Sequence, residues 1–153
     1  MKSYDYTLCS GSGNRFLMFD TLRSDLSGLN IAALAAEVSH RFGVDGLLLL
    51  TRDAQGRFGM RMFNTDGSEA EMCGNGIRCV AKYVYDKGLT DKKDITIVSA
   101  GKIKYLKLTV EGKTATDRGQ VTLVQVNMGN PILAPAEVPV TVEATQETAD
   151  GPA

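Results

Sequence analysis

The amino-acid sequence predicts an α+β domain built on an antiparallel or mixed sheet. Two segments have the apolar periodicity of helices, and seven others are short and strand-like. Two of these strands are separated only by Ala100-Gly101-Lys102, a spacing typical of a β-hairpin. The 153 residues suffice for about one domain, and 43% apolar with 23% charged residues is ordinary for a folded protein. This balance disfavours a disordered chain, a collagen-like repeat and a coiled coil.

The first predicted helix covers residues 31–42. Apolar side chains recur at helical spacing from Ile31 to Phe42, so they share one face. Asn30 precedes them as a favourable N-cap, and Gly43 follows as a C-terminal stop.

The second predicted helix begins at Cys73. Apolar side chains recur at the same spacing from Ile77 to Val84, and Lys87-Gly88 ends the pattern. The other regular segments predict strands, at about residues 4–9, 16–20, 46–50, 59–63, 95–99, 103–110 and 121–127.

The composition changes near residue 130. All four prolines follow it, and the end of the chain has few large apolar side chains. We therefore predict one domain over residues 1–130 and a Pro-containing linker or disordered tail over residues 131–153.

The charge balance and the apolar runs limit the class of partner. Seventeen basic and eighteen acidic residues give a net charge of -1, so we expect no nucleic-acid or membrane partner. The longest aliphatic run, Leu47 to Leu50, is far shorter than the ~20 residues of a membrane span. An acidic residue near the N-terminus argues against a signal peptide, and three cysteines suit a reducing compartment. These features predict a cytoplasmic protein with a small-molecule or protein partner.

The segment from residue 64 to residue 79 concentrates the reactive side chains. Cys73 stands at the predicted start of a helix, where the helix dipole and unpaired backbone N–H groups favour a thiolate. Gly74 and Gly76 flank Asn75 and allow close approach of a carboxylate or phosphate to backbone amides. A buried structural cysteine beside a glycine-rich turn explains the same pattern about equally well.

Several common sites do not fit the spacing. Cys73 and Arg78 are one residue too close for the C-x5-R loop of cysteine phosphatases, and neither nucleotide-binding glycine motif is complete. Cys73 and Cys79 lie on different helix faces, and His40 is the sole imidazole, so we expect no metal site. His40 lies in the last turn of the first helix, where a favourable interaction with the helix dipole explains its position. Because no other histidine is available as a catalytic base, a cysteine–histidine hydrolase is disfavoured.

Residues 64–79 closely resemble the active-site signature of the diaminopimelate epimerase family. Residues 10–16, 42–46 and 127–129 are similar to further landmarks of that family, in the same order. The resemblance implies a cofactor-independent epimerase that interconverts LL- and meso-diaminopimelate in lysine and cell-wall precursor synthesis. It also implies a fold of two similar α+β halves, each wrapping a curved sheet around a central helix, with substrate between them.

The resemblance assigns roles to five residues. The family moves the α-proton with two cysteines on opposite faces of the carbon, and Cys73 matches one of them. Gly74 and Asn75 would offer amides to the substrate carboxylate, while Asn14 and Asn64 would hydrogen-bond its amino-acid groups.

Four nearby residues are expected to be structural. Asp66 and Glu69 are interpreted as turn and surface residues rather than extra acids. Cys9 and Cys79 are interpreted as core cysteines.

The sequence departs from the family pattern in three places. Ser10 and Arg15 stand where the family has His and Asp, and the landmark at residues 42–46 is two residues shorter. The family's second half, which carries the partner cysteine and a substrate-binding glutamate–arginine pair, has no counterpart here. The chain is therefore expected to be an N-terminal half.

Several functions remain open at this point. The first hypothesis is an epimerase domain that is completed by a separate C-terminal half, or by a homodimer in which each copy contributes Cys73. The second hypothesis is a protein without catalytic activity, either an amino-acid-binding module or an inactive remnant. A third is a racemase for another amino acid, with specificity altered at Ser10 and Arg15.

Overall fold

The computed structural model describes residues 3–138, 147–148 and 151–152. It contains two helices, α1 (Ile31–Phe42) and α2 (Gly74–Asp86), and a short 3-10 turn at Pro135–Glu137. The main sheet has eight strands: β1 (Thr7–Gly11), β2 (Asn14–Asp20), β3 (Gly46–Arg52), β4 (Phe58–Asn64), β5 (Glu69–Ala70), β6 (Asp94–Ser99), β7 (Lys102–Glu111) and β8 (Gln120–Val126). A separate ribbon pairs β9 (Glu147–Thr148) with β10 (Gly151–Pro152). Part of the predicted linker or tail over residues 131–153 lies outside the described residues.

The sheet is mixed, as the sequence predicted. Its strands run in the order β1-β2-β3-β4-β6-β7-β8, with the short β5 beside β4. The β2–β3 and β4–β6 pairs are parallel, and the other pairs are antiparallel. Because α2 contacts both edge strands, β1 and β8, as well as β4, β6 and β7, the sheet curls around this helix. The predicted curved sheet around a central helix is confirmed.

Two apolar clusters lie on opposite faces of the sheet. In β3, Leu48 and Leu50 pack in the α2 cluster, while Leu47 and Leu49 pack in the α1 cluster. Successive strand side chains point to opposite faces, so a strand covered on both sides becomes a continuous apolar run. The α2 side chains of Ile77, Val80 and Val84 have no exposed surface, and burial of each contributes about 1.5–3 kcal/mol.

The helix boundaries agree with the predictions. Asn30 caps α1 by accepting a hydrogen bond from the Ala33 N–H at 3.1 Å, and Gly43 ends it with a left-handed φ of 61°. Cys73 is the N-cap of α2, and Lys87 is its C-cap. Within the described residues, neither helix has the length and apolar character needed to cross a membrane.

The strand predictions needed two corrections. The first strand begins at Thr7 rather than at residue 4, because its pairing with β2 begins at Thr7 opposite Met18. The two-residue strand β5 was not predicted at all, since it is too short to show alternation. The predicted hairpin is present: Ala100 and Gly101 both have positive φ and join β6 to β7 in a two-residue turn.

Candidate active site

The five predicted site residues lie at one end of the sheet. The register places the starts of β2 and β3 beside the end of β4. Asn14 and Asn64 therefore lie at the same end of the sheet. A hydrogen bond from Asn75 to Asn14 brings the start of α2 to the same edge. The fold therefore gathers at this edge residues that are far apart in the sequence.

Cys73 forms the first contact of α2 through its side chain. Its backbone is extended, with φ -136° and ψ 105°, and its Sγ accepts a hydrogen bond from the Gly76 N–H at 3.3 Å. The thiol thus takes the position that a Ser or Asn oxygen usually has at a helix N-cap. The residue is half-buried, so Cys73 lies at the helix start and is not fully enclosed in the core.

Gly76 is required by the close packing beneath this thiol. A Cβ at Gly76 would lie 2.9 Å from Leu48 Cδ2 and 3.3 Å from Cys73 Sγ. A larger residue would push apart the helix start, the thiol and strand β3. The second glycine of the motif therefore fixes the position of Cys73.

A chain of side-chain hydrogen bonds joins α2 to two loops. Asn75 Nδ2 donates to Asn14 Oδ1 at 2.6 Å, and Asn14 Nδ2 donates to Asp45 Oδ2 at 3.3 Å. The Arg15 N–H also donates to Asp45, at 2.8 Å. This backbone hydrogen bond, with the Asn14 amide, lowers the pKa of Asp45 below its ordinary value. Asp45 is therefore a charged anchor that orients Asn14.

Arg78 fastens the first turn of α2. Its Nε donates to the Gly74 carbonyl at 3.1 Å, and its guanidinium also donates to Asn75 Oδ1. The sequence analysis weighed Arg78 only as part of a phosphatase loop. Its spacing of four residues from Gly74 on a helix is the signal that could have indicated this contact.

The β1–β2 hairpin brings Asn14 close to α2. Ser12 and Gly13 have positive φ values of 47° and 89° and form its two-residue turn. A Cβ at Gly11 would lie 2.7 Å from the Asn75 carbonyl oxygen, so only glycine permits this approach. The departures at Ser10 and Arg15 face each other across the same hairpin.

Asn64 shares the edge with the other candidates but has different partners. Its Nδ2 donates to Ser68 Oγ at 3.0 Å, and its backbone N–H donates to the Ser68 carbonyl at 2.8 Å. Among the hydrogen bonds of residues 3–138, none joins Asn64 to Asn14, Cys73 or Asn75. Asn64 is therefore placed by the turn after β4.

The neighbouring acids have structural partners. Asp66 Oδ1 accepts from the Ser68 N–H at 2.9 Å and from the Ser68 hydroxyl at 2.6 Å, as in a turn. Glu69 forms a bidentate ion pair with Arg61 on the surface. Both acids have the turn and surface positions that the sequence analysis expected.

The other two cysteines lie away from the helix start. Cys79 is buried, with 6% of its surface exposed, and Cys9 is half-buried against the same core cluster. Both agree with the expectation of core cysteines. Within the described part of the chain, no group of three or more His, Cys, Asp or Glu side chains is placed to hold a metal ion.

The arrangement is suited to an anion beside a thiol. The N–H groups of Gly74 and Asn75 begin α2 and have no hydrogen-bond acceptor among residues 3–138. The helix dipole places a partial positive charge at this point, and the Arg78 guanidinium places a full positive charge nearby. A carboxylate bound there would lie beside Cys73 Sγ.

The sequence is similar to proteins of one known family. The family model of diaminopimelate epimerase matches residues 6–133. The chain is 45% identical to the diaminopimelate epimerase of Methanococcus maripaludis over 139 residues, which are 90% of this chain and 48% of that protein. It is 44% identical to the diaminopimelate epimerase of Acetivibrio thermocellus over 138 residues, 88% of this chain and 46% of that protein. The chain spans about half the length of these curated relatives.

Solved structures with the same fold are more distant in sequence. A methylitaconate-delta-isomerase superposes with a TM-score of 0.60 at 12% identity, over 97% of this chain and 48% of that one. A probable proline racemase from Agrobacterium radiobacter K84 superposes with a TM-score of 0.57 at 17% identity, over 79% of this chain and 42% of that one. At these identities the similarity establishes the fold alone. The match over residues 6–133 and the identity to curated relatives go further, and they show that the chain belongs to the diaminopimelate epimerase family.

Proposed function

We propose that this chain is the N-terminal half of a cofactor-independent epimerase that interconverts LL- and meso-diaminopimelate, with Cys73 as one of its two proton-transferring thiols. The observation that carries the proposal is the position of Cys73 Sγ at the start of α2, hydrogen-bonded to the Gly76 N–H. This start also has two N–H groups, those of Gly74 and Asn75, that can bind an anion. A thiol beside a bound carboxylate is the arrangement that proton transfer at the adjacent carbon requires.

The proton transfer needs groups on both faces of the α-carbon. In one direction the Cys73 thiolate takes the α-proton, and the electrons of the C–H bond move toward the carboxylate. A second thiol then donates its proton to the opposite face, which inverts the configuration. In the reverse direction the two thiols exchange roles. No pyridoxal phosphate or other cofactor takes part in these steps.

The start of α2 stabilises the charge that develops on the substrate. As the α-proton leaves, negative charge grows on the carboxylate oxygens. The N–H groups of Gly74 and Asn75 point outward from the helix start and would donate hydrogen bonds to those oxygens. The Arg78 guanidinium holds the Gly74 carbonyl and the Asn75 side chain, so these donors are fixed before substrate binds.

Asn14 and Asn64 are proposed to orient the amino-acid groups of the substrate. Asn14 is held between Asn75 and Asp45, which fixes which atoms of its amide donate and accept. Asn64 lies at the same edge of the sheet. Neutral amides can bind both the ammonium and the carboxylate of an amino acid.

We propose that the second thiol comes from outside these 153 residues. Cys79 is buried, and Cys9 lies against the same core, so neither is available beside Cys73. The chain also spans about half of its curated relatives. We therefore propose a complementary C-terminal half as the partner, with a homodimer that places two Cys73 thiols face to face as the alternative. Thiol acid/base chemistry requires reduced cysteines, which suits a cytoplasmic location.

Deuterium exchange in heavy water tests the proposal. The full chain is mixed with the C-terminal half of the Methanococcus maripaludis relative, and LL-diaminopimelate is followed by mass spectrometry and chiral chromatography. We expect α-deuterium incorporation and formation of the meso isomer. Cys73→Ser should remove both signals, whereas Cys9→Ser, which removes a thiol outside the site, should keep them.

Other outcomes would separate the remaining functions. Binding of diaminopimelate without exchange, in every combination of chains, would contradict the epimerase and support a binding module. Exchange with a different amino acid but not with diaminopimelate would contradict the substrate and indicate a related racemase. Activity of the chain alone, with an active dimer in sedimentation, would replace the separate half by the homodimer.

A further inference from the structure

Cys9 on β1 and Cys79 on α2 form a pair of neighbouring thiols. Both side chains line one surface cleft of about 470 Å³ between β1 and the exposed face of α2. The Cys9 Sγ donates to the Phe16 carbonyl at 3.6 Å, and each of the two thiols shifts the pKa of the other. The proposed proton transfer uses neither of them.

The backbone around this pair is closely packed. A Cβ at Gly11 would lie 3.3 Å from Cys79 Sγ. Cys9 and Gly11 are two residues apart on β1, so they face the same side of the strand. The glycine thus lets β1 approach α2 at the level of Cys79, with Cys9 two residues away on the same face of the strand.

The two thiols of the pair have different acidities. The hydrogen bond from the Cys9 thiol is the main cause that lowers the pKa of Cys79, and the positive charge of Arg78 lowers it further. The same hydrogen bond, with burial, raises the pKa of Cys9 far above its ordinary value. Of the two groups, Cys79 is therefore the one that more readily forms a thiolate.

We propose that Cys9 and Cys79 are a peroxide-sensitive dithiol that closes to a disulfide and ties β1 to α2. The Cys79 thiolate attacks one oxygen of hydrogen peroxide, the O–O bond breaks, and the released hydroxide takes a proton to become water. Cys79 is then a sulfenic acid. Cys9 attacks its sulfur, the S–O bond breaks, and the second oxygen leaves as water with the Cys9 proton. Two thiols and one peroxide thus give one disulfide and two waters.

The disulfide would act on the neighbouring site through the backbone. Cys9 lies on the strand that leads into the hairpin of Asn14, and Cys79 lies on the helix that carries Asn75. A covalent bond between them would restrict movement of the hairpin relative to the start of α2. It would also reduce the freedom of the unfolded chain, so the oxidised protein should have a higher Tm.

Thiol counting on the folded chain tests the pair directly. The full chain is oxidised with hydrogen peroxide while folded, the peroxide is removed, and the chain is alkylated with iodoacetamide in denaturant, so that burial does not protect a thiol. Intact mass and peptide mapping measure the product. The reduced chain should take up three alkyl groups, one for each free cysteine. After oxidation only Cys73 should be alkylated, the mass of the bridged pair should fall by about 2 Da, and mapping should find a Cys9–Cys79 peptide.

Matched variants and a denatured control make the test specific. Cys73→Ser should still form the bridge, whereas Cys9→Ser should leave no intramolecular disulfide with Cys79. The wild-type chain in denaturant should give mixed pairings that include Cys73. The proposal is overturned if, in the folded chain, Cys9 and Cys79 stay fully alkylated at a peroxide dose that oxidises Cys73, or if the mapped bridge contains Cys73. The peptide map of the wild-type chain decides this even if Cys9→Ser fails to fold.

Discussion

The two helices of this domain have similar lengths but differently built starts. The start of α1 is capped by Asn30, whose side-chain oxygen accepts from the Ala33 N–H. The start of α2 is capped by Cys73, whose sulfur accepts from the Gly76 N–H, and two glycines stand within its first three residues. Sulfur is a weak acceptor and glycine a poor helix former, so α2 begins with residues that favour neither a strong cap nor a stable helix.

Their surroundings explain the difference. α1 packs its apolar face on the outside of the curled sheet, and its first turn has solvent on the other side. α2 is enclosed by the curve, and its start is fastened by Arg78 and by the Asn75–Asn14 hydrogen bond. Tertiary contacts stabilise the second start where local ones do not. Helix stability thus explains the sequence at the start of α1, and the proposed proton transfer would explain the sequence at the start of α2.

Replacement of Cys73 by serine should separate chemistry from capping most sharply. Ser is a good N-cap, so Cys73→Ser should keep the fold and change Tm little. Loss of the proton-transferring thiol should slow α-proton exchange by a factor of about 10²–10⁴ in the assembled enzyme. Exchange assays and thermal melts measure the two effects. A variant that melts much earlier, with exchange lost in proportion, would show that Cys73 is structural.

Gly76→Ala should cause the largest loss of stability at the start of α2. The new Cβ would lie 2.9 Å from Leu48 Cδ2, inside a packed cluster, which costs about 1–3 kcal/mol of unfolding free energy. The matched control is Gly74→Ala, whose Cβ would meet only Met128, at 3.7 Å. Urea unfolding measures both variants. Equal stabilities would contradict the close packing beneath Cys73.

Asn30→Ala should show the purely structural role of the α1 cap. The Ala33 N–H loses its acceptor, which costs about 0.5–2 kcal/mol of unfolding free energy. Asn30 caps α1, whose apolar face packs in a different cluster from Cys73, so exchange by the folded variant should be unchanged. Urea unfolding and the exchange assay measure the two quantities. A drop in exchange without a drop in stability would contradict the division between the two helices.

Local signals explain which parts of the fold could be predicted. α1 was predicted to the residue, because Asn30, the apolar spacing and Gly43 are all contained in its own segment. The start of β1 was misplaced because it depends on where pairing with β2 begins, at Thr7 opposite Met18, and the sequence of the strand alone does not show this. Strand β5 has only two residues and exists through its pairing with β4, so its own sequence carries no pattern.

The site divides in the same way. Cys73, Gly74 and Asn75 could be proposed from one segment, because a helix start is visible locally and the motif resembles a known family. Asp45 was missed as a supporting residue because its contact with Asn14 depends on how two loops meet in the fold. Arg78 was missed although its contact with Gly74 is local, because its spacing was tested only against a phosphatase loop. The burial of Cys9 and Cys79 was predictable from residue type, but their contact was not.

The smallest predicted effect concerns the charge that orients Asn14. The Arg15 N–H and the Asn14 amide lower the pKa of Asp45, so the folded state favours its charged form. A lowered pKa contributes stability above the pKa of the unfolded chain, and this contribution is lost as the pH falls through the folded value. Asn14→Ala removes one of the two hydrogen bonds and should raise the pKa of Asp45 partway toward its ordinary value. Carboxyl NMR titration measures the shift, and Asp66 is the control, because its pKa is lowered by Ser68 and should not move. An unchanged Asp45 would mean that the backbone hydrogen bond alone holds the charge and that Asn14 is positioned by Asn75.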